Sequence, residues 1–192
     1  LPALEPEFAR IHDKKIETFA IELRCRHRSG AQIWVALHCG VFSEQGSAAP
    51  CLILQVQDIS ARRNAEAQLN HIAFHDGLTG LPNRSRFHTV LTQTLAAANQ
   101  DPNRHFGLMF LDFDRFKLIN DSMGHSAGDA FLIEVSRRIQ DHVRPGDMVA
   151  RLGGDEFAVL VRQVDGEANA TVLAERLQQV LRQPLLIAGV SV

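Results

Sequence analysis

No run of apolar residues in the 192-residue sequence approaches the ~20 needed for a membrane-spanning helix, and the N-terminus lacks the layout of a signal peptide. An excess of charge of one sign is missing too. Lys and Arg number 20 against 22 Asp and Glu, a net charge of -2, so there is no electrostatic footprint for a nucleic-acid polymer or an anionic membrane. Any polyanionic ligand must be held locally. Cysteine is scarce: Cys25, Cys39 and Cys51 are odd in number and lack metal-type spacing, which reads as reduced core thiols in a reducing compartment. Internal repeats and low-complexity tracts are also absent. The start at Leu1 rather than Met, and the stop at Val192 inside an apolar, strand-like run, read as an excerpt of a longer chain. What remains, 45% hydrophobic and 22% charged residues, is the composition of a globular protein with room for one domain and part of another.

Residues 18–28, "TFAIELRCRHR", alternate with Phe19, Ile21, Leu23 and Cys25 on one face, and "SGA" supplies a turn. "QIWVALHCGVF" and "CLILQVQDIS" read as two further strands around the polar loop "SEQGSAAP", giving an antiparallel meander over 18–59. "PEFARIHDKK" before it predicts a short helix. "ISARRNAEAQLNHIAF" after it predicts another, with Ala65, Leu69 and Ile72 at +4 and +3 spacing as in a short coiled-coil seam. The same spacing serves a helix lying on its own domain.

A second unit starts near Ala73. "HDGLTGLPNRSRF" is a turn followed by a helix start, and Phe87, Val90, Leu91 and Leu95 mark that helix through about Ala98. "GLMFLDFD" reads as a central strand buried on both faces and ending in acids. Gly124 and Gly128 then punctuate the backbone, and a helix is predicted from Ser126, with Asp129 three residues on as in a capping box; Phe131, Val135, Ile139 and Val143 form its apolar face. "DMVARL" and "EFAVLV" are strands joined by Gly153 and Gly154, a hairpin signal because such turns need positive φ. Leu173, Leu177, Val180 and Leu181 mark a helix ending before Pro184, and "LLIAGVSV" opens a strand. His75 belongs to the turn before the first helix of this unit, since no further metal-ligand pattern follows it.

Asp112 at a strand end and Asp155 at a hairpin tip would meet if the strands are neighbours. Such a pair suits Mg²⁺, which is held by one or two carboxylates together with substrate phosphates, and phosphoryl transfer is the natural chemistry. Acids at strand ends are equally common as solvated caps. Asn120, nine residues before Asp129, adds a second clue. An Asp can accept from the N1–H and exocyclic amine of guanine while an Asn amide meets the remaining edge; adenine would leave that Asp unpaired. Helix capping by Asp129 is the plainer alternative.

"DGLTGLPNRSRF", "LDFDRFKLINDSMGHSAGD" and "RLGGDEF", in this order and spacing, resemble the GGDEF domain of diguanylate cyclases, which condense two GTP molecules into cyclic di-GMP. The resemblance implies an α+β, nucleotidyl-cyclase-like fold, a central mixed sheet flanked by helices, over residues 73–192 with its C-terminal part missing. It implies Mg²⁺, or alternatively Mn²⁺, on Asp112, Asp155 and the Phe113 carbonyl, with Glu156 assisting at the metal and at the attacking 3′-hydroxyl. Gly153 and Gly154 would let the backbone approach the α-phosphate. Asn120 and Asp129 would read guanine, and Lys117 would face the phosphates.

Arg144 and Asp147, separated from the Gly pair by five residues, match the family's RxxD inhibitory site for the cyclic di-GMP product, to which Arg176 would add a basic contact; "RPGD" is also ordinary turn composition. The family's reaction implies a homodimer, because each domain holds one GTP. Residues 1–60 resemble the C-terminal part of a PAS sensor domain, which implies a PAS ligand, and 61–72 a linker helix. "RPGDMVARLGGDEFAVLV" and "LRQPLLIAG" also resemble GGDEF halves that continue into an EAL phosphodiesterase domain, so the alternative is a catalytically silent module binding GTP or cyclic di-GMP. The resemblance further implies a cytoplasmic catalytic part, and that residues 1–192 alone are inactive, since the family places further triphosphate contacts and sheet elements beyond them.

Overall fold

A computed structural model of the chain describes residues 4–13, 16–42, 51–101, 103–164, 167–187 and 189–191, with backbone alone for 167–169. The chain divides into two compact units, residues 1–69 and 70–192. The predicted loop 43–50 lies outside the described residues.

In the first unit, helix α1 (Glu5–His12) precedes strands β1 (Thr18–Arg26), β2 (Gln32–Phe42) and β3 (Cys51–Asp58), an antiparallel sheet in the order β1-β2-β3. The alternation read from the sequence is the physical basis: Phe19, Ile21 and Leu23 turn to one face and pack with Leu37, Cys39, Phe8 and Ile11. Gly30, at φ 89°, makes the β1–β2 turn. Of the three cysteines only Cys39 is a core thiol, and burial pushes its pKa up; Cys25 is half-buried and Cys51 exposed, because β3 has both faces open. Helix α2 (Ser60–Phe74) is tied to this sheet at its start. The Ser60 hydroxyl accepts from the Trp34 amide at 2.9 Å, Arg63 stacks over the Trp34 ring at 4.1 Å, and Arg62 and Arg63 both bind the Glu22 carboxylate. The charge-assisted bond from Arg63 outweighs partial burial and, with Arg62, holds Glu22 below the usual carboxylate range. Leu69 and Ile72 are about 70% exposed on α2.

The second unit runs α3 (Arg84–Gln100), β4 (Gly107–Leu111), α4 (Phe116–Met123), α5 (His125–Asp141), β5 (Met148–Gly153), β6 (Glu156–Val161), α6 (Glu167–Leu181), β7 (Leu186–Ile187) and β8 (Val190–Ser191). Strands β4, β6 and β5 pair in that order, and both of these strand pairings are antiparallel. Helices flank the sheet. Phe157, Val159 and Val161 face the cluster formed with Phe131, Val135 and Ile139 of α5 and Leu173 and Leu177 of α6, while Ala158 and Leu160 face Phe87 and Val90 of α3. Each fully buried large apolar side chain contributes roughly 1.5–3 kcal/mol, so β6, buried on both faces, is the energetic centre.

Four local readings are corrected. Among the described residues strand β4 pairs on one side only, with β6, and it is not buried on both faces: Met109 and Leu111 are half-buried and Phe110 is 67% exposed. A continuous apolar run cannot by itself distinguish which of two apolar strands takes the middle. Helix α5 starts at His125 with Gly124 as its N-cap, so Ser126 and Asp129 form no capping box. On α3 the buried face is Phe87, Val90 and Thr94, and Leu95 is exposed; the Thr94 hydroxyl donates to the Val90 carbonyl at 2.9 Å, which satisfies it in the core. "LLIAGVSV" folds back as the β7–β8 hairpin through Gly189, at φ 83°.

Candidate functional site

The β5–β6 turn is built by its glycines. Gly153 pairs with Glu156, and the turn residues are Gly154 and Asp155; Gly153 has φ 145° and Gly154 φ 54°, conformations L side chains rarely adopt. A Cβ built at either would meet no protein atom within 4 Å, so backbone geometry alone demands glycine in the free chain. Leu111 is opposite Phe157. The next residue, Asp112, therefore lies at the level of Glu156, one residue from Asp155, where antiparallel neighbours stand ~5 Å apart. Strand pairing thus supplies the condition on which that convergence was expected, that β4 and β6 are neighbours.

Past Asp112 the chain turns sharply. The Phe113 ring packs edge-on against Phe131 and Phe157, at 5.5 and 5.8 Å between centroids, which leaves the flanking Asp112 and Asp114 exposed. Its carbonyl accepts from the Phe116 amide at 3.2 Å and retains a second lone pair. Arg115, at φ 65°, is the single non-glycine residue with positive φ among the described residues and sets the entry to α4. Lys117 on the first turn of α4 is exposed, while Phe116, Ile119 and Met123 face the core. Helix α4 escaped the sequence reading because its glycine-flanked stretch looked like loop. It carries Asn120 to the start of α5, against Gly128 and next to exposed Asp129.

The hairpin is gripped from outside by groups that sequence reasoning missed. Arg151, 11% exposed, donates from Nε and Nη2 to the Gly154 carbonyl at 3.0 and 2.8 Å, and from Nη1 to Asp76 at 2.9 Å. Asp76 also accepts from the Thr79 amide and hydroxyl at 2.9 and 2.7 Å. Burial acts to raise the Asp76 pKa, but the bonds from Thr79 and Arg151 outweigh it and the net shift is downward. The D-x-x-T turn of Asp76 and Thr79 was legible as an Asx-type signature; its partner 75 residues away was not. Arg84 donates to the Leu152 carbonyl at 3.0 Å and to Glu156 at 3.2 Å, and Asn83 caps α3 by accepting from the Arg86 amide at 3.0 Å.

Asp112 and Asp155 form no ion pair or hydrogen bond among the described residues, so the end of β4 and the β5–β6 turn each present one unpaired carboxylate. Their hard oxygen donors fit Mg²⁺ or Mn²⁺. A cavity of about 750 Å³ runs between β4 and α6; it includes Asp112, Phe113 and Asp114 but none of Asn120, Asp129 or Asp155. The candidate site is therefore the open ledge between the β4 end, α4 and the hairpin turn. A second cluster is separate: Arg144, Asp147 and Arg176 line one small cavity of about 50 Å³. There Asp147 accepts from the Arg162 amide at 3.1 Å, Gly146 takes φ 104°, and Arg176 donates to the His142 carbonyl at 2.5 Å. Among the described residues no helix is long and apolar enough to cross a membrane.

A family profile described as "Diguanylate cyclase, GGDEF domain" matches residues 73–191. The diguanylate cyclase TpbB of Pseudomonas aeruginosa is 40% identical over 150 residues, 78% of this chain and 34% of that protein. Its GGDEF-domain structure superposes with a TM-score of 0.59 at 42% identity, covering 62% of this chain and 69% of that one. The bifunctional diguanylate cyclase/cyclic di-GMP phosphodiesterase MucR of the same species is 45% identical over 128 residues, 67% of this chain and 18% of that protein. The coiled coil and GGDEF domain of DgcB from Caulobacter crescentus, solved with c-di-GMP, matches at TM-score 0.62 and 28% identity over 69% of each chain. The chain spans about a third or less of the length of these curated relatives. With the motif-bearing turn, the strand that meets it and the α4–α5 ledge all lying within the matched span, the chain belongs to the GGDEF family of diguanylate cyclases.

Proposed function

We propose that this protein is a diguanylate cyclase that joins two GTP molecules into cyclic di-GMP. The observation that carries the reading is the β5–β6 turn, where two glycines at positive φ present Asp155 at the start of β6, the strand paired with β4, whose end leads to Asp112. Asp112, Asp155 and the free lone pair of the Phe113 carbonyl would hold Mg²⁺ or Mn²⁺, which when bound supplies charge neutralisation for phosphoryl transfer. Asn120 and Asp129 hydrogen-bond the guanine edge. Lys117 and nearby backbone amides face the phosphates, and the bare backbone of Gly153 and Gly154 admits the α-phosphate. Glu156, oriented by Arg84, receives the proton of the attacking 3′-hydroxyl. Each 3′-oxygen forms a bond to the α-phosphorus of the other GTP and each α-phosphorus loses pyrophosphate, so two sites must face across a two-fold axis and the working form is a homodimer.

Arg144, Asp147 and Arg176 form the product-binding site in this reading. An Arg can pair bidentately with guanine O6 and N7, and an Asp can take the N1–H edge; product held there would limit synthesis. Residues 1–60 act as the C-terminal part of a PAS sensor and 61–72 as the signalling helix. The antiparallel meander and the Glu22–Arg62–Arg63 anchorage support that assignment, and exposed Leu69 and Ile72 suit pairing of two such helices. Use of GTP assigns the catalytic unit to the cytoplasm. The similarity to MucR favours a second reading, in which the unit binds GTP or cyclic di-GMP to control an attached phosphodiesterase.

Mass-spectrometric detection of cyclic di-GMP from GTP and Mg²⁺, with the full chain beside its Asp155→Ala variant and any phosphodiesterase domain disabled in both, decides between them. Product from the parent and none from the variant is expected. GTP binding by calorimetry without product from either leaves the regulatory reading.

A further inference from the structure

Gly128 occupies the fourth position of α5 and is buried. Its φ is not positive, so its backbone does not require glycine, and a helix interior disfavours it relative to alanine. What requires it is one side chain. A Cβ at Gly128 would overlap Asn120 Oδ1 and lie 2.9 Å from Asn120 Cγ and 3.3 Å from Nδ2; the three nearest atoms all belong to that carboxamide.

The Asn120 carboxamide is half-buried and makes no hydrogen bond among the described residues. It is held in place by shape. Its own helix cannot shift freely to make room, since Phe116, Ile119 and Met123 anchor α4 in the core. A side chain at 128 must therefore turn the carboxamide away from α5, and Asp129 is the next residue of that helix.

We infer that Gly128 is a positioning residue for base recognition: its missing side chain is the seat that presents the unpaired Asn120 carboxamide beside Asp129. This rests on the assignment of Asn120 and Asp129 to guanine, and it adds that the fit of Asn120 on Gly128 sets the selectivity of the pair.

The test measures binding of a non-hydrolysable GTP analogue and its ATP counterpart to the full chain and to its Gly128→Ala, Asn120→Ala and double variants, with thermal melts of each. Gly128→Ala is expected to weaken the GTP analogue about tenfold, the loss of one or two hydrogen bonds, and to narrow its preference over the ATP analogue. In the Asn120→Ala background the same change should cost no further affinity and should raise the melting temperature, because the obstructed space is then empty and alanine favours helix. If Gly128→Ala alone fails to fold while the double variant folds, the steric coupling stands. Wild-type binding by Gly128→Ala, with Asn120→Ala weakened, overturns the inference and leaves the guanine assignment intact. Wild-type binding by Asn120→Ala overturns both. Additive losses, or a double variant that also fails to fold, overturn the inference because Gly128 then answers to something other than Asn120.

Discussion

Arg151→Ala tests how the β5–β6 turn is held. The guanidinium makes a charge-assisted bond to Asp76 and a two-pronged contact to the Gly154 carbonyl, and both partners of the ion pair are mostly buried, at 11% and 23% exposed. A hydrogen bond to a charged group contributes about 1.5–3 kcal/mol and a neutral one about 1. Asp76 keeps its two bonds from Thr79, so the carboxylate is not orphaned, and the expected loss is about 3 kcal/mol. For a unit of residues 70–192 this corresponds to a fall in melting temperature of roughly 10 °C. Arg151→Lys keeps the charge but not the fork, and should lose about half as much. Thermal unfolding followed by circular dichroism provides the measurement.

The same clamp has a pH signature. The Asp76 pKa is lowered in the folded chain, so its stabilisation is fully present above the unfolded carboxylate value of ~3.9 and is lost as pH falls through the lower folded value. Asp76→Asn should therefore lower stability at neutral pH and lessen the further loss on acidification below about pH 4. A fall under about 3 °C for Arg151→Ala, or an acid profile unchanged in Asp76→Asn, would refute the clamp.

The remaining expectations concern neighbouring positions. Gly153→Ala forces an alanine to φ 145° and should cost about 1–3 kcal/mol of stability with no steric component in the free chain, seen as a lower midpoint in urea. The additional effect should appear as weakened GTP binding, since only a ligand can meet the new Cβ. Asn83→Ala removes the cap on α3 and the bond to the Ala73 carbonyl; a loss of about 1 kcal/mol and faster amide exchange in the first turn of α3 are expected.

The family was legible in the chain because the motifs that carry it are local. Gly-Gly-Asp-Glu between two apolar runs dictates a hairpin whose turn needs positive φ, as Gly153 and Gly154 bear out. Periodicity likewise identified the buried faces of α5 and α6, where Phe131, Val135, Ile139, Leu173 and Leu177 repeat at helical spacing and pack into one core. These inferences needed no knowledge of what each element packs against.

What depended on partners distant in sequence had to wait for the fold. The tertiary structure decided that β6 lies between β4 and β5, since all three are apolar runs and only pairing order separates them. It turned the face of α3 from Leu95 to Thr94, whose hydroxyl the helix itself satisfies. It joined Asp76 to Arg151 and Arg84 to Glu156 across about seventy residues, and it revealed that Gly128 is reserved for the side chain of Asn120. Local conformational preference is written residue by residue. The identity of a half-buried group's partner is set only when the chain closes on itself, and that closure turns a recognisable motif into a positioned site.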